Sequence, residues 1–267
     1  MSIASSTAPP AATTEPASEP AVVLRGVTKS YPRPGGVQPP VLEDIDLTVP
    51  SGGFTCVIGA SGCGKSTLLS LIAGLDLPTS GEVEVAGGHA ALMFQDAALF
   101  PWLSAGRNVE LALRLRGVRR AERRAEAERL LALVRLAGAR DRPVHELSGG
   151  MRQRVALARA LAQESKVLLM DEPFAALDAI TRDVLHDELI RVWQETGCAV
   201  VFVTHNVREA VRLGRHVVLL SSRPGRIAGQ WTVHIPQPRR IEDAAVAELA
   251  AEITEQLREE ISRHAGT

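Results

Sequence analysis

The chain has 267 residues, of which 45% are hydrophobic, and 30 basic against 31 acidic side chains give a formal net charge of −1. This length is enough for a full hydrophobic core, and the near-neutral charge argues against a protein whose main partner is bulk nucleic acid or an anionic membrane surface. No apolar run approaches the roughly 18 residues of a membrane-spanning helix, so we expect any transport function to need membrane partners encoded elsewhere.

Two features predict the compartment. Residues 1–20 consist mainly of Ala, Ser, Thr, Pro and Glu and lack the basic residues and apolar stretch of a secretory signal, so we predict a disordered tail there. The three cysteines, Cys56, Cys63 and Cys198, have no spacing typical of disulfides or of a metal site. Together these features predict a reducing cytoplasm.

The first predicted elements are strands. Residues 22–28 and 41–49 have strand composition, and a loop rich in Pro and Gly at residues 32–40 separates them. In the second strand, Ile45 and Leu47 alternate with polar residues, as in a half-exposed antiparallel strand. Residues 54–58 form a short, continuously apolar run, which is typical of a buried parallel strand.

Strands and helices then alternate. A glycine-rich loop and an apolar helix at residues 66–73 follow the buried strand directly. Further apolar runs occur at residues 91–94, 167–170, 199–204 and 216–220, with helical stretches between several of them. This alternation predicts an α/β fold with a mostly parallel sheet that is covered on both faces.

The middle of the chain has helical periodicity and no strand signal. Residues 108–136 carry an apolar face around Leu130 and Val134, and we interpret residues 97–155 as a helical subdomain inserted into the α/β core. Six arginines between residues 114 and 124 resemble a basic patch, but the glutamates interleaved with them favour a solvated helix face. Residues 241–264 have helical spacing and predict a terminal helix.

A phosphate-binding loop is the most specific single signal. Residues 59–66 read GASGCGKS and match G-x-x-x-x-G-K-[ST] between a predicted buried strand and a predicted helix. Glycines in such a loop let backbone N–H groups surround phosphate oxygens at the positive end of a helix. Lys65 supplies a point charge to the phosphates, and the Ser66 hydroxyl can ligate Mg²⁺. The alternative is a glycine-rich turn that binds nothing, and the flanking elements favour a nucleotide.

A second group of motifs lies later in the chain. Residues 147–151 read LSGGM before an apolar-faced helix, so they form either a helix cap or a second anion-binding helix start. The apolar run at 167–170 ends in Asp171, which can hold Mg²⁺ through water, and Glu172, which can polarise an attacking water. Asp178 follows, and His205 ends another apolar run. A lone histidine there is more often structural, but its position among the motifs favours catalysis.

These five elements, in this order, resemble the ATP-binding subunit of an ABC transporter over residues 22–230. The resemblance implies a P-loop NTPase (RecA-like) core with an antiparallel β subdomain and an inserted helical subdomain. It implies an ABC ATP-binding domain at residues 21–235, after the tail at 1–20 and before a C-terminal tail and helix at 236–267. It also implies ATP and Mg²⁺ as cofactors.

The resemblance implies a role for each motif residue. The nucleotide-binding residues are Tyr31, which stacks on adenine, and the Walker A residues Gly59, Ala60, Ser61, Gly62, Cys63, Gly64, Lys65, Ser66 and Thr67. The Mg²⁺ ligands are Ser66, Gln95 of the Q-loop and Asp171 of Walker B, and the catalytic residues are Glu172, the switch histidine His205 and Gln95. The signature motif is Leu147, Ser148, Gly149, Gly150 and Met151, and Asp178 belongs to the D-loop. The chain departs from the family pattern at Met151, where glutamine is commoner, and at Asn206, where aspartate is usual.

In this family two subunits meet head to tail, with ATP between the Walker A loop of one and the signature motif of the other. The chain holds one copy of each motif, which implies a second copy (a homodimer) or a homologous ATPase subunit as partner. Because every motif residue is present, including Glu172, we expect an active ATPase.

Residues 94–102 (FQDAALFPW) and 220–227 (LSSRPGRI) resemble the nitrate, sulfonate and taurine importer branch of the family. Trp102 is otherwise a loop aromatic that packs on the core, and residues 223–226 form a turn in either case. The resemblance implies a peripheral subunit on the cytoplasmic face of the cell membrane. Its implied partners are integral membrane permease subunits, docked near residues 95–107, and indirectly a solute-binding protein, with no nucleic acid.

Two alternatives follow from the residues. A soluble non-transport ABC ATPase that powers a cytosolic assembly process would have identical catalytic motifs, so only its partners distinguish it. A kinase-like P-loop enzyme does not account for the LSGGM motif or for His205. The solute is not encoded in this chain, since specificity belongs to the binding protein and permease. Taurine, alkanesulfonate, nitrate and pyrimidine-type solutes all remain open.

Overall fold

The computed structural model describes residues 19–33, 36–37 and 39–265. The strands are β1 (Val22–Lys29), β2 (Pro32–Arg33), β3 (Gly36–Val37), β4 (Leu42–Val49), β5 (Phe54–Gly59), β6 (Ser80–Val85), β7 (Ala91–Met93), β8 (Val167–Asp171), β9 (Ala199–Val203), β10 (His216–Leu220) and β11 (Ile227–Thr232). The helices are α1 (Lys65–Ile72), α2 (Ala105–Leu115), α3 (Arg120–Leu133), α4 (Gly149–Leu161), α5 (Ala179–Thr196), α6 (Val207–Leu213) and α7 (Ala244–Ala265), with a 3-10 turn at Val144–Glu146. The predicted tail at residues 1–20 lies outside the described residues except for its last two.

The larger sheet has six strands in the order β11-β10-β5-β9-β8-β7. The five strands from β10 to β7 are parallel, and β11 pairs antiparallel with β10. Every residue of β5 and β9 is buried, as their continuous apolar sequences predict for strands covered on both faces. The carboxyl ends of these parallel strands meet at one edge of the sheet, which is where ligands bind in open α/β folds.

The smaller sheet is antiparallel, in the order β4-β1-β6. In β4 the apolar residues from Ile45 to Val49 are buried and the polar residues between them are exposed, as their alternation predicts. The buried side chains of this sheet pack in one cluster with α1 and with one face of the larger sheet. The second apolar cluster covers the opposite face and includes α4, α5 and the helices before them.

The region between β7 and β8, residues 94–166, contains the helices α2, α3 and α4 and the 3-10 turn, joined by loops, and no strand is described within it. The predicted continuous helical stretch at 108–136 is instead two helices, because the backbone turns at Gly117, where φ is 89°. The arginines of α3 are mostly exposed, and two of them pair with glutamates one turn away, Arg124 with Glu128 at 3.2 Å and Arg129 with Glu126 at 2.7 Å. This arrangement matches the predicted solvated helix face.

Two segments differ from the sequence-based expectations, whereas the terminal helix predicted at residues 241–264 is present as α7. Strand β6 was not predicted because it lies at a sheet edge, with most side chains outside the core. Residues 32–40, expected as a loop, contain a short hairpin of β2 and β3.

The terminal helix α7 packs on the core through Val246, Ala250 and Ile253, and Trp231 of β11 donates its indole N–H to Glu252 at 3.0 Å. Among the helices of the described residues, none is both long and apolar enough to cross a membrane.

Candidate functional site

The phosphate loop connects the carboxyl end of β5 to the amino terminus of α1, as its motif predicts. Lys65 is the first residue of α1, and Gly64 before it has a left-handed φ of 105°. A Cβ at Gly64 would lie 2.7 Å from Leu42 Cδ2, so both the backbone turn and the close packing require glycine. The loop thus turns sharply and directs the first N–H groups of the helix toward the edge of the sheet.

A cavity of about 500 Å³ opens over this loop. Its lining residues come from the phosphate loop, the ends of β8 and β9, and two neighbouring turns: Val41, Ser61, Gly62, Gly64, Lys65, Ser66, Thr67, Glu172, His205 and Arg223. Most of the predicted Walker A residues, the predicted general base and the switch histidine therefore share one cavity.

Lys65 is buried, and its ammonium group donates to the Gly59 carbonyl at 2.9 Å and the Ala60 carbonyl at 3.0 Å. These bonds hold the positive charge inside the curve of the loop, where a phosphate chain would meet it. Cys63 is buried beside it, with its Sγ 4.0 Å from Lys65 Nζ. Burial raises the pKa of the Cys63 thiol, and the Lys65 ammonium opposes that shift without cancelling it.

Glu172 and His205 form a direct contact. Glu172 follows β8 with a positive φ of 43°, and its backbone N–H donates to the Val203 carbonyl of β9 at 3.0 Å. The Nδ1 atom of His205 lies 2.9 Å from Glu172 Oε2. The carboxylate side chain is 22% exposed and the imidazole 67% exposed, so both groups are accessible from the cavity. A left-handed backbone at a glutamate is strained, and such strain is concentrated at functional sites.

The predicted Mg²⁺ ligands are only partly brought together. Ser66 lines the cavity, and Asp171 is the half-buried last residue of β8, directly before Glu172. Gln95 is exposed, and neither it nor Asp171 is among the described residues that line the cavity. A hydroxyl, a carboxylate and an amide oxygen are the donor types that Mg²⁺ takes, so the residue types fit the ion. The described residues contain no cluster of three or more His, Cys, Asp or Glu for a metal held by the protein alone.

Tyr31, the predicted adenine-stacking residue, lies beside the last residue of the Walker A motif. Its hydroxyl donates to Asp76 at 2.9 Å and also hydrogen-bonds with Thr67. The Lys29 ammonium lies 4.7 Å from the ring centroid. Burial, followed by the hydrogen bond to Asp76, raises the pKa of Tyr31. Tyr31 is 37% exposed, which leaves a surface on which a base can stack.

The signature motif lies outside the cavity. Ser148 is the N-cap of α4, and its side chain accepts from the Met151 N–H at 3.3 Å. Of the other signature residues, Leu147 is buried and Met151 is half-buried. A Cβ on Gly149 would lie 3.2 Å from Leu177, and a Cβ on Gly150 would lie 2.8 Å from Thr181 of α5. Asp178 caps α5 by accepting from the Thr181 N–H at 2.9 Å, a bond that lowers the pKa of the Asp178 carboxyl. Within this chain the motif is therefore a helix cap, the simpler of the two interpretations of its sequence.

Two lining residues were not predicted as site residues. Val41 and Arg223 come from turns before β4 and after β10, and both border the phosphate loop. Residues 223–226 are predicted as a turn, but nothing in their local sequence indicates that the turn lies against a loop 161 residues earlier in the chain. Sheet order brings them together, since β10 pairs with β5 and Leu220 is opposite Gly59.

A buried polar network behind His205 was also not predicted. Glu209 of α6 accepts a hydrogen bond from the Thr204 hydroxyl, and its other oxygen lies 2.5 Å from His186 Nε2 of α5. Thr204 in turn accepts from the Asn206 N–H at 3.0 Å. Both residues that flank His205 are thus fixed by hydrogen bonds, buried at Thr204 and partly buried at Asn206, which orients the histidine toward the cavity.

Replacing Glu209 with glutamine is expected to lower the free energy of unfolding by about 1–3 kcal/mol at pH 7, because it disrupts a buried, charge-assisted network. Burial raises the pKa of the Glu209 carboxyl, but the bonds from His186 and Thr204 outweigh burial and lower it below its ordinary value of 4.5. A lowered folded-state pKa means that this stabilisation is complete above that ordinary value and is lost as the pH falls through the folded value.

Urea unfolding at pH 7 and at pH 4 measures this effect as the difference between wild type and Glu209→Gln. The difference should shrink at the lower pH. Glu255→Gln, at an exposed ion pair of α7, is the matched control and should have little effect at either pH. A difference that is equal at both pH values would contradict the assignment of a lowered pKa to Glu209.

Comparison with known proteins agrees with this geometry. Residues 42–175 match the family model described as ABC transporter. A taurine import ATP-binding protein of Burkholderia pseudomallei is 50% identical over 199 residues, which are 72% of this chain and 76% of the relative. A nitrate import ATP-binding protein of Synechocystis is 47% identical over 202 residues, or 73% of this chain and 76% of the relative. The chain belongs to the ABC transporter family.

Solved structures of ABC cassettes confirm the predicted fold class. An ATP-binding cassette solved as a dimer in a post-hydrolysis state, bound to ADP and Pi, matches with a TM-score of 0.69 and 32% identity, covering 80% of this chain and 100% of that one.

A bicarbonate transport ATP-binding protein of Synechococcus elongatus is 46% identical over 82% of this chain. The present ABC chain spans only 34% of that relative's length.

Proposed function

We propose that this ABC protein is the ATP-hydrolysing subunit that energises solute import through a separate membrane permease. The observation that carries the proposal is one cavity that holds Lys65 at the phosphate loop together with the Glu172–His205 pair. Lys65 supplies the positive charge for nucleotide phosphates, and the Glu172–His205 pair supplies a carboxylate and an imidazole in the same cavity. Relatives named for taurine and nitrate import support the direction of transport.

In the proposed reaction, the phosphate loop and Lys65 bind the phosphate chain at the amino terminus of α1. Glu172 accepts a proton from the attacking water and orients it, while His205 contacts the γ-phosphate and, through the 2.9 Å contact, holds the carboxylate in place. A bound Mg²⁺, held by Ser66, Asp171 and Gln95, would neutralise charge on the phosphate oxygens. Tyr31 would stack on the adenine.

The signature motif supports a dimer as the working form. Ser148 begins α4 outside the cavity, so within one chain it does not face the phosphate loop. We propose that ATP binds between the phosphate loop of one subunit and Ser148, Gly149 and Gly150 of a second copy or a homologous subunit. The similar cassettes solved as dimers support this arrangement.

The proposed permease surface is near residues 95–107, and most of the aromatic segment, residues 94–102, lies within it. Phe94 and Trp102 are 49% and 76% exposed, and the Phe100 and Trp102 rings lie 5.5 Å apart. Arg159 of α4 fixes the backbone beneath them by donating to the Ala97 and Ala98 carbonyls at 2.8 and 2.7 Å. A rigid backbone that presents exposed aromatic side chains is well suited to bind another protein.

The other assignments follow from this proposal. Residues 21–235 form the ATP-binding domain, with a helical subdomain at about 97–155, and residues 236–267 form the C-terminal tail and helix. The subunit lies peripherally on the cytoplasmic face of the cell membrane, and a solute-binding protein acts with its permease. The proposed solute is of the nitrate, sulfonate or taurine type, and one relative is named for bicarbonate transport.

The test is purification of tagged protein from detergent-solubilised membranes, followed by measurement of ATP turnover in the eluate. We expect a multi-span permease to co-purify and turnover to be lost in the Glu172→Gln variant. An active ATPase that brings down only cytosolic proteins would contradict the transport assignment and favour a soluble ABC ATPase of a cytosolic assembly process.

A further inference from the structure

The turn between β10 and β11, residues 221–226, is held rigidly against the phosphate loop. Ser221 closes it, since its N–H donates to the Arg226 carbonyl and its hydroxyl to the Pro224 carbonyl, each at 2.8 Å. Gly225 joins the turn to the segment at the start of β4. Its N–H donates to the Val41 carbonyl at 2.9 Å, and its carbonyl accepts from the Glu43 N–H at 3.0 Å. A Cβ on Gly225 would overlap the Cys63 carbonyl, so the turn packs directly on the loop.

Arg223 is the side chain of this turn that enters the phosphate cavity. Its Nε atom donates to the Gly62 carbonyl at 3.1 Å, which brings the guanidinium to the tip of the phosphate loop. It lines the same cavity as Lys65, Ser66, Glu172 and His205. One bond to a neutral carbonyl does not compensate the charge of the guanidinium.

Arg226, three residues later, provides the contrast. It pairs with Glu43 at 2.8 Å and does not line the cavity. Among the described residues, no carboxylate forms an ion pair of this kind with Arg223. The turn therefore carries one arginine whose charge is balanced by a carboxylate and one whose charge is directed at the nucleotide cavity.

We propose that Arg223 is a second cationic nucleotide-binding residue, which contacts the phosphate chain of bound ATP alongside Lys65. A guanidinium offers several planar N–H donors that match phosphate oxygens, and the bond to Gly62 uses only one of them. The same bond ties the cation to the loop that surrounds the phosphates, so little side-chain entropy is lost on binding. This inference rests on the proposed nucleotide site and extends it to a residue outside the motifs.

The experiment measures the affinity of the full-length protein for the non-hydrolysable analogue AMP-PNP with Mg²⁺, using Arg223→Ala, Arg223→Gln and Arg223→Lys. We expect Ala and Gln to weaken binding about tenfold or more, since a charge-assisted contact is lost, and Lys to retain most of the affinity. Arg226→Ala is the matched control and should bind as wild type does. Circular dichroism confirms that each variant is folded.

Two results would overturn the proposal. If the Arg223→Gln variant binds AMP-PNP as tightly as wild type, Arg223 serves only to hold the Gly62 carbonyl in place, because the glutamine amide can donate the same hydrogen bond without a charge. If the Ala variant binds normally and loses only turnover, Arg223 contacts the second subunit and not the phosphates. Lys65→Ala tests the nucleotide site separately. If Lys65→Ala binds AMP-PNP as tightly as wild type, the proposed function itself fails. If Lys65→Ala loses binding while Arg223→Ala binds normally, only the inference about Arg223 is refuted.

Discussion

Replacing Glu172 with glutamine is expected to reduce ATP turnover by about 100-fold or more while leaving nucleotide binding intact. A positioned general base contributes about 10²–10⁴-fold, and glutamine cannot accept the proton from water. The amide has nearly the same shape and retains a contact to His205, which lies 2.9 Å from the carboxylate, so the cavity keeps its form. The measurements are steady-state phosphate release and the affinity for AMP-PNP.

The matched control for this prediction is Glu195→Gln. Glu195 is an exposed carboxylate of α5 that pairs with Arg191 at 2.6 Å and does not line the cavity. This variant should hydrolyse ATP at the wild-type rate. Turnover by Glu172→Gln at the wild-type rate would show that Glu172 is not the base, and loss of AMP-PNP binding would assign it to binding instead.

Replacing Trp102 with alanine is expected to reduce permease co-purification at least about tenfold without changing ATP turnover of the isolated subunit. A tryptophan at the centre of an interface commonly contributes about 2 kcal/mol or more, and Trp102 is 76% exposed in this structure. Since the backbone of its segment is fixed by Arg159 and not by the indole, the fold should tolerate the change.

Leu75→Ala controls for loss of a large exposed hydrophobic side chain. Leu75 is 65% exposed in the turn after α1 and lies outside the aromatic segment. Tagged subunits purified from membranes should retain the permease with Leu75→Ala and lose it with Trp102→Ala. Equal recovery from both variants would exclude the aromatic segment as the docking surface and leave the catalytic assignments unchanged.

Much of the nucleotide site was predictable because its signals are local. The loop between β5 and α1 needs glycines for backbone reasons that involve a few consecutive residues, and Gly64 with its left-handed φ is the clearest case. The carboxylate after the buried strand β8 follows the same logic, since an apolar run that ends in Asp171 and Glu172 places them at a sheet edge. The order of these motifs along the chain then sufficed to predict the family.

The predictions that failed concern strands that form only through their pairing partners. The hairpin within residues 32–40 and the edge strand β6 form because neighbouring segments pair, and their own composition carries little strand signal. The LSGGM motif permitted two interpretations, and the structure assigns Ser148 to capping α4 within the chain. Its contact with ATP in a second subunit stays a prediction.

The sequence by itself determined the local chemistry of this protein: the phosphate loop, the paired carboxylates, the buried strands and the family to which they belong. Only the tertiary structure decided which of those groups meet. Glu172 and His205 are 33 residues apart and touch because β8 and β9 are adjacent parallel strands. Arg223 reaches Gly62 because β10 lies beside β5. Strand order depends on how the whole core packs, and no local stretch of sequence encodes it.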